Sequence, residues 1–141
     1  MIYVDTSALA AIYFPEAASD RIERIVLAES ACAISELTEV ELFSATSRRL
    51  RMRELSRRDA NAVAASFRAD LSSNILEILP ITSANYRYAR GLIARFDMPL
   101  RTLDALHLSL AASEGLEMLT LDRALARSAR RLGVRLCNAA Q

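Results

Sequence analysis

Short apolar runs alternate with longer amphipathic stretches along the whole chain. Ile2 to Val4 is a β-prone run that stops at Asp5, and Thr6-Ser7 leads into an apolar helical segment, Ala8 to Phe14, which Pro15 ends. Ala17 to Glu29 carries Ile22, Ile25 and Val26 near helical spacing and precedes a second apolar run, Ala31 to Ile34, closed by Ser35. Glu36 to Met52 predicts a helix with Leu37, Val40, Phe43 or Ser44, and Ser47 on one side. Arg crowds its C-terminal end, where the helix dipole favours positive charge. Ser56-Arg-Arg-Asp59 has the form of a capping box, with Asp in place of the usual Glu or Gln, and it opens an Ala-rich helix that reaches about Leu71. Ile75 to Ile81 predicts a third strand, Ser83 to Phe96 a helix and Asp97 to Arg101 a loop. Thr102 is placed as the cap of a helix running to about Glu114, which Gly115 closes. Glu117 to Leu121 predicts a fourth strand and Asp122 to Leu132 a helix. After Gly133, Val134 to Cys137 predicts a fifth strand at the sheet edge.

Strands this short and apolar, separated by helices, call for a mostly parallel sheet of about five strands covered on both faces, a three-layer α/β/α sandwich. No repeat, linker or low-complexity segment divides the chain, so residues 1–141 are expected to form a single domain. A 52% hydrophobic and 25% charged composition, with three Gly and three Pro, fits a packed core rather than a disordered tail. The first residues lack a basic region followed by an apolar segment, and no uncharged run reaches membrane-spanning length. A cytoplasmic protein without a membrane partner is expected. Cys32 and Cys137 make no zinc pattern with the single histidine, His107, and are expected as small buried hydrophobes.

Charge narrows the chemistry. All 18 basic residues are Arg, so a Walker loop, a Schiff-base enzyme and a Lys-dependent aspartyl-phosphate site are excluded. A guanidinium stays protonated and cannot act as a nucleophilic amine.

Four acids fall at places that the β-α order defines. Asp5 ends the first strand and Asp122 follows the fourth, which puts both at the carboxyl edge of a parallel sheet. Glu41 lies in the opening turns of the helix after strand two and Asp104 in the first turn of the helix near Thr102. Helices that follow strands start at that same edge. Four carboxylates distant in sequence thus gather where open α/β sheets place their ligand crevice. Such neighbours repel unless a cation neutralises them, and an all-oxygen set favours Mg²⁺ or Mn²⁺ over zinc. Hydrolysis of a phosphodiester is the chemistry that uses such a site. Each acid has a second reading as well: Thr38 and Glu41 fit capping-box spacing, Asp104 suits a first helical turn, and Asp5 and Asp122 are plausible N-caps.

At these positions the sequence resembles the PIN-domain family, and more closely its VapC-type toxin ribonucleases of type II toxin-antitoxin systems. The motifs are Tyr-Val-Asp-Thr-Ser at residues 3 to 7, Ser35 followed by Glu41, Asp-Ala-Leu-His-Leu at 104 to 108 and Leu-Thr-Leu-Asp at 119 to 122. The resemblance implies that Asp5, Glu41, Asp104 and Asp122 are catalytic and metal-binding, with Thr6, Ser7 and Thr120 as supporting hydroxyls. Arg101 matches a position often basic in these toxins and is a candidate for a substrate phosphate. Where some relatives carry a further acid after the last Asp, this chain has Ala124. His107, one turn beyond Asp104, is read as a packing or supporting residue rather than a general base. The run Arg48, Arg49, Arg51, Arg53, Arg57 and Arg58 is read as a solvated turn before an RNA contact.

The expected function is a Mg²⁺-dependent endoribonuclease toxin, with Mn²⁺ as a substitute ion, RNA as substrate, a cognate VapB-type antitoxin and a homodimeric assembly. The alternatives are a PIN nuclease of RNA processing that is not a toxin, and a non-catalytic binding module that keeps the acids as caps. Setting four of the 17 acids aside at one site leaves 18 Arg against 13 acids, so the net charge of +1 reads as an acidic pocket in a moderately basic surface.

Overall fold

Every residue of the first run is buried, and a strand with no exposed position must be covered on both faces. The computed structural model describes residues 1–137. Among these residues the elements run β1 (Ile2–Val4), α1 (Thr6–Tyr13), α2 (Ser19–Ala28), β2 (Cys32–Ser35), α3 (Glu36–Arg51) and α4 (Arg57–Ser72). Then come β3 (Leu76–Leu79), α5 (Ser83–Ile93), α6 (Thr102–Ser113), β4 (Glu117–Leu119) and α7 (Arg123–Arg131). The strands are ordered β3-β2-β1-β4 and every pair is parallel, with Tyr3 beside Ala33 and Met118.

Side-chain alternation along the strands splits the core in two. Ile2, Val4, Cys32 and Ile34 pack with Leu9 of α1, Ile22 of α2, Leu42 of α3 and Phe67 of α4. Tyr3, Ala33 and Met118 face the other way, toward Leu108 and Leu110 of α6 and Leu125 of α7. These two clusters give the sheet a helical layer on each face, the three layers expected. Phe67 is fully buried and meets Tyr13 and Phe43 edge to face, at 6.2 and 5.8 Å between ring centres.

Several boundaries differ from expectation for local reasons. The fourth strand stops at Leu119, and Thr120 just beyond it donates its hydroxyl to Asp5. The run at Val134 to Cys137 is reduced to one parallel bridge, Leu136 with Met118, beside a four-stranded sheet. The capping box of α3 is Ser35 with Thr38 rather than Thr38 with Glu41: Ser35 ends β2 in extended backbone, so it alone can be the half-helical residue. Arg101, not Thr102, precedes the first turn of α6, and no side chain caps that helix. Gly115 closes α6 as expected, with a φ of +65° that a side chain would strain. Cys32 is buried and Cys137 half-buried, so the expectation of two buried thiols holds fully for Cys32 alone. Among the described residues no helix is long and apolar enough to cross a membrane.

Phe67→Ala is expected to remove about 3–5 kcal/mol of stability, the range for emptying an aromatic site in a core. Urea unfolding measures it, and a loss below about 1 kcal/mol would show that the α4 side of the sheet repacks freely.

Candidate active site

The strand order reverses at β1: the chain steps from β1 to β2 to β3, then returns to pair β4 on the other side of β1. A crevice opens outside the carboxyl ends of strands at such a point. Asp5 and Asp122 follow the two strands that flank it, and Glu41 and Asp104 lie near the starts of α3 and α6. All four carboxylates line one cleft of about 800 Å³, together with Thr6, Ser7, Arg48, Arg101 and His107.

Asp5 sits deepest and is 3% exposed. It caps α1 by accepting from the Ala8 amide at 2.9 Å, and it accepts from Ser7 Oγ at 2.7 Å and Thr120 Oγ1 at 2.6 Å. Burial pushes its carboxyl above the usual range, against the pull of those hydrogen bonds. Ser7 also receives the amides of Leu121 and Asp122, at 2.8 and 3.2 Å, so one serine fastens the β4–α7 turn to the β1–α1 turn. Asp122 caps α7 by accepting from Ala124 and Leu125 through Oδ1, which leaves Oδ2 toward the cleft.

Glu41 is half-buried. Its Oε2 takes a hydrogen bond from Thr6 and lies 2.8 Å from His107 Nε2. Burial alone would raise its pKa, but these two bonds together with the electrostatic pull of His107 and Arg101 hold the carboxyl below its ordinary value. Asp104 and Asp122 share a cation of the chain's own. Arg101 donates from Nε to Asp104 at 2.9 Å and from a terminal nitrogen to Asp122 at 3.4 Å. In this arrangement no three Asp, Glu, His or Cys side chains among the described residues converge closely enough to hold an ion. The capping reading and the site reading are therefore compatible: Asp5 and Asp122 cap helices with one oxygen while lining the cleft.

The basic run divides in the structure. Arg48 and Arg49 line the cleft, and Arg49 stacks over Phe14 at 4.4 Å, whereas Arg51 reaches Ser47 on the outer surface. The expectation of a solvated turn holds for part of the run only. Sequence reasoning gave Tyr3 no polar role and placed Thr38 only as a possible cap. A tyrosine between Ile2 and Val4 in a fully buried strand must find a polar partner inside, and that was the available signal.

The family model of the PIN domain matches residues 2–131. The chain belongs to the PIN domain family. Solved structures share the PIN fold over nearly its whole length. Mycobacterium tuberculosis VapC20, described as a sarcin-ricin loop cleaving toxin, is 20% identical with a TM-score of 0.72, covering 91% of this chain and 95% of its own. FitAcB from Neisseria gonorrhoeae is 17% identical with a TM-score of 0.75, covering 99% and 98%. DNA-bound VapBC from Salmonella typhimurium is 21% identical with a TM-score of 0.69, covering 99% and 100%. No characterised protein compared by sequence matches this PIN domain.

Because burial raises Asp5, its ionised form opposes folding at neutral pH, and that cost vanishes as pH falls and the carboxyl protonates. Asp5→Asn is expected to raise the thermal midpoint in metal-free neutral buffer, with the gain shrinking toward acid. A midpoint lowered at every pH would show that the bonds from Ser7, Ala8 and Thr120 outweigh burial.

Proposed function

We propose that this PIN domain is a divalent-metal-dependent endoribonuclease, the toxin of a toxin-antitoxin pair. One observation carries the reading: carboxylates from four separate parts of the chain line a single cleft at the switch point of the sheet, with Arg48 and Arg101 at its wall. Oxygen donors alone suit a hard cation, and a buried Asp5 with a raised pKa gains from one. Asp5, Glu41, Asp104 and Asp122 would hold Mg²⁺, with Mn²⁺ as a substitute, once Arg101 releases Asp104 and Asp122, since the acids do not converge on an ion while it bridges them. When bound, such an ion lowers the pKa of water and stabilises charge on the leaving oxygen.

The chain's own residues prepare the rest. Thr6 fixes Glu41, while Ser7 and Thr120 fix Asp5, so these carboxylates are oriented before substrate arrives. Arg101 is exposed, and its fork can pass from Asp104 and Asp122 to a substrate phosphate. Arg48 lies two helical turns beyond Glu41 on the same face of α3 and offers a second phosphate contact. In-line attack of water on phosphorus leaves a 5′-phosphate and a 3′-hydroxyl, with no covalent intermediate on the protein.

Structural neighbours that are VapBC and FitAB complexes support an antitoxin as partner. Arg101 already places a guanidinium between Asp104 and Asp122, so an antitoxin arginine would fit the same acids. A groove of about 600 Å³ beside α1 and α4, with Ile12, Phe14 and Val63 in its wall beside Arg49, Asp59 and Asp70, would take an amphipathic segment of the partner. Exposed Phe96 and Tyr86 border a separate apolar hollow that suits a homodimer contact, which solution mass with and without the antitoxin would read.

Purified protein is expected to cleave RNA with Mg²⁺ and to stop in EDTA. Asp5→Asn or Asp104→Asn should slow cleavage on the order of 100-fold or more, the scale of losing one electrostatic group at a transition state. Cleavage indifferent to EDTA and to both substitutions would overturn the reading. No calorimetric Mg²⁺ binding would instead favour a binding module in which the acids serve as caps. For Arg48→Ala, the slope of log affinity against log salt for single-stranded RNA in EDTA should fall by about 0.7, one phosphate contact. An unchanged slope would leave Arg48 in solvent.

A further inference from the structure

His107 is the chain's single histidine, lies on the second turn of α6 and is buried. Both ring nitrogens are engaged: Nε2 is 2.8 Å from Glu41 Oε2 and Nδ1 is 2.7 Å from the Tyr3 hydroxyl. Tyr3, fully buried in the middle of β1, stands 3.0 Å from Ser35 Oγ and 3.4 Å from Thr38 Oγ1. Ser35 and Thr38 are the capping box of α3, and Glu41 lies on that same helix. The hydrogen bonds therefore leave α3 at its cap, cross β1 and α6 and return to α3 at Glu41. A closed ring of this kind fixes how α3 is rotated and seated against the other two elements.

The proton inventory leaves one consistent role for the imidazole. Glu41 Oε2 already accepts from Thr6, and an accepting oxygen 2.8 Å from Nε2 requires hydrogen on that nitrogen. The Tyr3 phenol has one proton to give and three polar atoms within reach, Ser35 Oγ, Thr38 Oγ1 and His107 Nδ1. That proton can point to Ser35 Oγ or to Nδ1, and in either arrangement Nε2–H donates to Glu41. The opposite tautomer, with hydrogen on Nδ1 only, would set a nitrogen lone pair against a carboxylate.

The geometry points to His107 as a positioning residue: braced by Tyr3 from within the sheet, it holds the Glu41 carboxylate in the cleft through Nε2–H. The inference rests on reading the cleft as a metal site and names what orients one of its ligands. Partners that orient a ligating carboxylate typically change metal affinity by about 10–100-fold when removed.

One histidine gives one imidazole in a ¹⁵N–¹H spectrum, so its protonated nitrogen can be read directly. Metal-free protein is expected to show hydrogen on Nε2, and Tyr3→Phe should move the Nδ1 resonance, which loses its neighbour, with the fold kept. By calorimetry His107→Leu should weaken Mg²⁺ binding by about 10–100-fold. His107→Gln should recover most of it, since its amide offers an N–H to Glu41 and an oxygen to Tyr3. If His107→Leu fails to fold, the spectra of wild type and Tyr3→Phe still decide. A spectrum with Nε2 bare would overturn the inference, as would a folded His107→Leu that binds Mg²⁺ like wild type. Wild-type protein that binds no Mg²⁺ would sink the metal reading of the cleft, and the imidazole spectrum would then judge the Nε2–H contact alone.

Discussion

A carboxylate taken out of water at the end of the central sheet is the constraint around which this molecule is organised. Asp5 is buried, and a buried charge persists only with hydrogen bonds or a counter-ion. Two parts of the chain supply the bonds: the first turn of α1, through the Ala8 amide and the Ser7 hydroxyl, and Thr120 beyond β4. Ser7, which donates to Asp5, also accepts from the Leu121 and Asp122 amides, so the group that satisfies the buried carboxylate fastens the β4–α7 turn and keeps Asp122 in the same cleft. Burial still leaves the carboxyl above its usual range, which makes the same place receptive to a cation.

The cleft balances its charge in two ways. Glu41 is stabilised from inside, by Thr6 and His107, whereas Asp104 and Asp122 are stabilised from the rim by Arg101. The two arrangements have different lability. His107 is locked on both nitrogens within the core, but Arg101 is 76% exposed on its side chain, and ion pairs that exposed contribute little and exchange easily. One half of the cleft is therefore preset and the other adjustable. Arg48, Arg49 and Arg101 set positive charge into the wall of the same cleft that holds the four acids.

Much of this was legible in the chain itself. The alternation of short apolar runs with amphipathic segments predicted a parallel three-layer sheet, because side-chain periodicity is a local property. The placement of Asp5 and Asp122 after strands and of Glu41 and Asp104 near helix starts came from the same order, since a parallel sheet sends all such positions to one edge. Boundaries were less legible. Ser35 and Thr38 compete for the cap of α3 by spacing alone, and only the extended backbone at the end of β2 decides between them. The fifth run has strand-like composition yet makes a single bridge, because pairing depends on what β4 leaves free at its outer side.

Residue order and chemistry by themselves determined the fold class, the four acids, the exclusion of lysine chemistry and the family motifs. Tertiary structure alone decided that Arg101 spans Asp104 and Asp122, that Arg48 but not Arg51 lines the cleft, and that Tyr3 and His107, 104 positions apart, share a hydrogen bond. The physical reason is one of range. Hydrophobic period and capping act within a few residues, whereas the partners of a buried polar atom are chosen by which elements the sheet packs against one another.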